Sequence, residues 1–175
     1  QEKLTFIEAP FTGSKTGAVS GELVYFAFSN SVLPNVDTFL QSTSRMIHGF
    51  KSPGAATRFK LFYNLWGLTS LALLGQMLPV LRSLPQPDLV ADILMSHTEF
   101  WMGAIAKDKL DQSMRGDFND VHCKLKYAKK DMRYAIDEFS ECGLDLSRAL
   151  LLMLTQKSGS SDDNLDFTSM CEFFK

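Results

Sequence analysis

The feature that most restricts this chain is the apolar stretch Leu61–Leu81. A membrane span needs about 20 apolar residues, and this stretch has the length. It also carries Tyr63, Asn64, Thr69, Ser70, Gln76, Pro79 and two glycines. Those interruptions favour a buried helix, apolar nearly all round, over a transmembrane span. The helical pattern begins at Ala55, after the SPG turn at 52–54, and runs to Leu84. Pro85 and Pro87 break it.

What surrounds this helix is lopsided. Residues 4–7 (LTFI) read as a strand stopped before Pro10, and Gly13, Gly17 and Gly21 punctuate a loop. LVYFAFS (23–29) reads as a strand buried on both faces. Val32, Leu33, Val36, Phe39 and Leu40 place a helix over 32–44, and Met46–Phe50 reads as a third short strand. After the long helix, Asp88 is positioned to cap a helix over 89–96, and Thr98 with Trp101 opens another, to about Met114. Val121, Leu125, Ala128, Met132, Ala135, Ile136 and Phe139 share one face of a helix over about 120–141, with Gly143 as its stop. Leu144–Leu154 is a further helix, SGSSDDN (158–164) a polar loop, and Asp166 the cap of a final helix. Three short strands leave long unpaired edges, so the sheet is expected to belong to something larger.

With 175 residues the chain has the size of one domain, and 45% hydrophobic residues suffice for a core. A net charge of −2 excludes a strongly cationic nucleic-acid binder. Cys123, Cys142 and Cys171 have no CxxC spacing, which fits a reducing compartment. His48, His97 and His122 do not cluster, so no metal site is expected. No GxSxG, GxGxxG or GxxxxGK[ST] occurs. The start, QEKLTFIEAP, has no basic or apolar leader and no initiator Met, and reads as an internal or processed start.

Three groups of residues invite chemistry. Lys60 and Asn64 are four apart and share a helix face. The lysine is either a snorkelling side chain at the helix start or a proton donor to a carbonyl oxygen, with the amide holding it or the substrate. Spacing does not choose between these. Thr12-Gly13-Ser14 is either a tight turn or a loop offering hydroxyls and N–H groups to a carboxylate. Lys130-Asp131, among Lys124, Lys126, Lys129 and Arg133, has the composition of a solvated charged face.

Taken in order, these pieces have a counterpart. FIEAPFTGSKTGAVSGELVYFAFS resembles the serine-glycine loop and following strand of the β-hydroxyacid dehydrogenase family, the 3-hydroxyisobutyrate dehydrogenase-like enzymes. SPGAATRFKLFYN resembles its GxGxxxKxxxN segment, which opens a long interdomain helix. FNDVHCKLKYAKKDMRYAIDEFSECGLDLS resembles its late helix with a Lys-Asp pair, and LDFTSMCEFFK its ending. GSK and LKxxxKDMRxA are closest to the glyoxylate/succinic semialdehyde reductases.

The resemblance implies a mainly α fold: the last strands of a Rossmann-type α/β domain over 1–51, then over 52–175 an all-helical domain like the C-terminal domain of 6-phosphogluconate dehydrogenase. It implies reduction of a small aldehyde acid, or oxidation of a β-hydroxyacid, with NADP or NAD. Lys60 would be the proton donor and Asn64 would orient it. Thr12, Gly13 and Ser14 would bind the substrate carboxylate, Asp131 would stand at the active-site edge, and Lys130 near the cofactor. The helical domain would build a homodimer or homotetramer. No nucleic acid or membrane partner is implied, and the compartment would be reducing, cytoplasm or an organellar matrix.

The chain departs from the family at three positions: Thr12 where serine is usual, Ala56 for the second glycine of GxG, and Cys123 for an aromatic residue eight positions before Asp131. The first and third bear on the substrate pocket. The family's N-terminal Rossmann portion with GxGxxG is missing, so the chain is expected to be a C-terminal portion, inactive alone. The rival expectation is a catalytically idle oligomerisation module on the same fold, which would have no such fingerprint upstream.

Overall fold

The structure, a computed structural model, describes residues 5–31, 34–97, 99 and 103–174. Leu4, Val32, Leu33, Thr98 and Trp101, where three expected elements begin, lie outside the described residues. Two compact units make up the chain, Gln1–Tyr63 and Asn64–Lys175.

The first unit is built on strand β3 (Leu23–Ser29). Its apolar, aromatic run is the one the sequence marks most clearly as buried. On one edge it pairs antiparallel with β1 (Ile7–Glu8) and then β2 (Phe11–Thr12), with Ile7 opposite Ser29 and Phe11 opposite Tyr25. The register is continuous across Ala9-Pro10. Pro10 has no N–H to give, but its carbonyl accepts the Phe26 N–H at 2.8 Å. On the other edge β4 (Ser44–Gly49) runs parallel to β3, joined through helix α2 (Pro34–Ser42). Successive side chains of β3 point to opposite faces. Leu23 and Tyr25 pack with Leu40 and Val36 of α2. Phe26 points the other way, into rings at the start of helix α3 (Ala55–Ser83): Phe59 at 4.8 Å and Tyr63 at 5.9 Å.

Two expectations fail in this unit. The strand expected over 4–7 and ending at Pro10 is instead Ile7–Glu8, and the pairing goes on past Pro10 as β2 because the Pro10 carbonyl keeps the ladder. The glycine-punctuated stretch after β2 is a helix, α1 (Ser14–Ser20). Gly17 is its buried residue, beside Leu23 and Glu22, and Gly21 closes it with φ +70°.

The second unit is helical: the remainder of α3, then α4 (Pro87–Ser96), α5 (Gly103–Arg115), α6 (Leu125–Glu138), α7 (Asp145–Lys157), a 3-10 turn Asp162–Asn164 and a 3-10 helix Phe167–Phe174. Leu65, Leu68, Leu71, Leu74, Leu78 and Leu81 of α3 are buried with Met132, Leu154 and Met170. The helix is apolar all round, as expected, but buried on one side only. Trp66, Leu73, Met77 and Val80 are exposed. Among the described residues it is the one helix long and apolar enough to cross a membrane.

Three boundary expectations are corrected. Asp88 does not cap α4; it lies in the first turn, and Gln86 occupies the cap with no side-chain bond. Helix α6 starts at Leu125, not near 120, because Asp166 takes the preceding backbone for itself. The Asp166 carboxyl, fully buried, accepts the N–H groups of His122 at 2.8 Å and Cys123 at 3.2 Å. It also accepts that of Thr168 at 3.0 Å, as a cap of the final 3-10 helix should. Helix α6 ends when the Phe139 N–H closes on the Ala135 carbonyl, well before Gly143.

Candidate functional site

The residues singled out from the sequence fall in both units. In the first, β2 delivers Thr12 into a sharp turn. Gly13 has φ +126° and Ser14 φ +50°, the one pair of consecutive positive angles among the described residues. For glycine this conformation is free; for serine it costs on the order of 1 kcal/mol. The turn is held by the Gly17 N–H, which donates to the Gly13 carbonyl at 2.8 Å. A Cβ at Gly13 would press on the Leu23 side chain at 3.2 Å. Ser14 is exposed, and Thr12 is half-buried.

Lys60 lies on α3, early enough to belong to the same unit. It is half-buried, and its ammonium lies 5.2 Å from the centre of the Tyr63 ring, a cation–π distance. The turn of α3 that carries it is fixed in two ways. Phe59 packs against Phe26 and, at 5.5 Å, Phe50. The helix start is held by Glu8, the residue the sequence reading passed over. Its carboxylate accepts the Gly54 N–H, the Thr57 N–H at 3.1 Å and the Thr57 hydroxyl at 3.2 Å. Burial pushes the Glu8 carboxyl up, but the bonds from Gly54, Thr57 and Ala56 outweigh it and hold it below the ordinary glutamate value. The available signal was a lone carboxylate inside an apolar strand run.

In the second unit, Asn64 stands one helical turn after Lys60 on α3. Its Nδ2 donates to Asp131 Oδ2 at 2.8 Å. The other oxygen of Asp131 holds the Lys130 ammonium at 2.9 Å. That bond to Asp131, set against partial desolvation, raises the Lys130 pKa. Lys130 also lies over the Tyr134 ring at 5.5 Å. The charged composition of α6 therefore does not make Asp131 a solvated residue: its side chain is 23% exposed and engaged on both oxygens. An amide whose nitrogen is fixed on a carboxylate presents its oxygen as an oriented acceptor. Cys123 is half-buried ahead of α6. Among the described residues, no three His, Cys, Asp or Glu side chains gather as a metal would need.

Comparison of the fold with solved structures gives close matches. A 3-hydroxyisobutyrate dehydrogenase from Salmonella typhimurium superposes with TM-score 0.77 over 96% of this chain, at 19% identity. The chain has the fold of 3-hydroxyisobutyrate dehydrogenases. The enzyme of that name from Mycobacterium tuberculosis, solved with L-serine, gives TM-score 0.68 over 97% of the chain at 16% identity. Psf3, in complex with NADP+ and 2-OPP, gives 0.71 over 96% at 21% identity. The chain spans about three fifths of each: 60%, 60% and 58% of their lengths. No family model matches the sequence, and no curated protein matches it.

Proposed function

We propose that this chain is the C-terminal portion of an NAD(P)-dependent oxidoreductase that reduces a small aldehyde acid, glyoxylate or succinic semialdehyde, or oxidises a β-hydroxyacid. Residues 1–51 are then the end of a nucleotide-binding domain. Residues 52–175 are a substrate and dimerisation domain of the 6-phosphogluconate dehydrogenase C-terminal type. The observation that carries this reading is the Asn64–Asp131 hydrogen bond, which fixes an amide one turn after Lys60 on α3. A snorkelling surface lysine has no need of such an amide.

In this reading Lys60 gives its proton to the carbonyl oxygen, so that no free alkoxide forms. Asn64, held by Asp131, orients the lysine. Thr12, Gly13 and Ser14 receive the substrate carboxylate at the strained turn, which offers two hydroxyls and backbone N–H groups. Lys130 lies toward the cofactor. A bound nicotinamide supplies the hydride to carbon. The sequence carries no GxGxxG, the motif that would build a pyrophosphate cradle. The dinucleotide is then held mainly by the preceding domain, and the structure of Psf3 with NADP+ supports that class of cofactor.

The deciding experiment is Lys60→Ala in the full-length protein, assayed with glyoxylate and succinic semialdehyde. Loss of a general acid lowers kcat by about 10²–10⁴-fold. Unchanged turnover removes the role from Lys60.

A second reading, an oligomerisation module without catalysis, draws on the exposed stripe of α3. Trp66, Leu73, Met77 and Val80 recur at seven-, four- and three-residue intervals, the seam of a helix that packs on another helix. Both readings place a second copy there, giving a homodimer or homotetramer. Met77→Glu with Val80→Glu should give a monomer by light scattering, and an undisturbed oligomer would move the interface elsewhere.

A further inference from the structure

We infer that Glu8 is a positioning residue: one carboxylate that sets the opening turn of α3, and with it Lys60, against the strand that leads into Thr12-Gly13-Ser14. The inference rests on the reductase reading above and adds to it a residue with no part in the chemistry itself.

The geometry is long-range. Glu8 and its partners are separated by 46 and 49 residues, and every bond lies within the first unit. The start of α3 has orphan N–H groups to satisfy. Its own sequence does not supply a cap for all of them, because the residue before the helix is Gly54, with φ +82° and no side chain. The Ser52 carbonyl takes the Ala55 N–H at 3.3 Å. Glu8 satisfies Gly54 and Thr57 with its two oxygens, and the Thr57 hydroxyl adds a third bond. A carboxylate near a helix start also suits the positive end of the helix dipole.

The other end of the link matters as much. Glu8 pairs with Phe28 in the β1 ladder, and the same edge continues through Pro10 to Phe11 and Thr12. The strand that fixes the hydroxyl-bearing turn is therefore the strand that holds the helix start. Lys60 is one turn beyond Thr57. A small rotation of the first turn of α3 would re-aim the ammonium while leaving Thr12 where its pairing with Val24 puts it. Misaiming a donor lowers the rate far more than it lowers binding.

The test uses the full-length protein and three variants. Glutamine at this position offers one acceptor oxygen and turns an NH2 toward N–H donors, so Glu8→Gln breaks the link. Amide exchange at Gly54 and Thr57 should accelerate by roughly fivefold or more, while Tyr25 in β3 is unaffected. The kcat should fall by about ten- to a hundredfold with KM for the aldehyde within about twofold. Glu8→Asp keeps two oxygens on a shorter arm and should recover part of both effects. Where Glu8→Gln does not fold, Thr57→Val, at an exposed position, removes only the hydroxyl bond and should shift both readouts in the same direction by less. Unchanged exchange at Gly54 and Thr57 overturns the link. Faster exchange with unchanged kcat leaves Glu8 a structural cap and overturns the positioning role. Unchanged turnover of Lys60→Ala instead removes the donor role from Lys60, and the positioning role falls with it; a full-length wild type that reduces neither aldehyde overturns the reductase reading.

Discussion

The two units each depend on one buried carboxyl group that gathers N–H donors from distant sequence, and the two groups do different work. Asp166 is fully buried and binds the stretch before α6 to the C-terminal 3-10 helix. Glu8 lies at the edge of a sheet, and its partners Gly54 and Thr57 are half-buried and exposed. Both carboxyls are buried, but the donors Glu8 gathers lie nearer to water than those of Asp166. A carboxyl with enclosed donors is a fastening; one whose donors lie near water holds an element in register at smaller energetic cost. Thr12, Ser14 and Lys60, to which the proposed function gives the chemistry, stand in the unit that Glu8 holds.

Removing the enclosed acceptor should have the largest effect. Asp166→Ala orphans the N–H groups of His122, Cys123 and Thr168. Thr168 is buried and His122 and Cys123 are half-buried, so at about 1–3 kcal/mol for an unsatisfied buried group a loss of roughly 2–3 kcal/mol is expected in urea unfolding. Amide exchange at His122 and Thr168 should rise together. A loss below about 1 kcal/mol would make the two carboxyls equivalent and end the contrast.

The same region is closed by a second device, and its removal ranks next. A Cβ on Gly75 of α3 would lie 2.7 Å from the Cys171 backbone and 3.0 Å from the Phe174 side chain. Backbone cannot yield as a side chain can, so Gly75→Ala should cost about 1–3 kcal/mol through overpacking. The reporter is Cys171. Burial pushes its thiol up to about 11, so it is inert to alkylating reagents at neutral pH. Faster alkylation in Gly75→Ala would show the 3-10 helix lifting from α3. Wild-type stability with an unreactive thiol would show that the helix adjusts without cost.

These contacts also mark where the sequence was readable. Continuous apolar runs announce β3 and α3, although α3 buries only one of its sides, and prolines fix the end of α3. The start of α6 was misjudged because the periodicity of Val121 and Leu125 continues a helix that Asp166 interrupts with bonds to His122 and Cys123. Gly13, Gly17 and Gly21 read as breakers, whereas Gly13 and Gly21, at φ +126° and +70°, flank helix α1 and Gly17 lies inside it. At the site, spacing put Lys60 and Asn64 on one face. It gave no means of pairing Asn64 with Asp131, 67 residues away, or Glu8 with Thr57, 49 residues away. Local pattern reports faces; partners across the fold are a property of packing.

The smallest expected effect is the one that separates the two carboxyls most cleanly. Glu8 has its pKa lowered in the folded chain, burial opposing and the bonds from Gly54 and Thr57 prevailing. A group with a depressed folded pKa contributes stability that is complete above its unfolded pKa and is lost as pH falls through the folded one. Its contribution is therefore present at neutral pH, begins to fade below the ordinary glutamate range and is gone under strongly acid conditions. A helix-capping carboxylate of this kind contributes about 1 kcal/mol. Comparing urea midpoints of the wild type and Glu8→Gln from neutral pH into acid should show the gap narrowing in that window, with the variant the flatter curve. A gap that widens on acidification would mean that Glu8 is held as the neutral acid, and its oxygens would then no longer both serve as acceptors for α3.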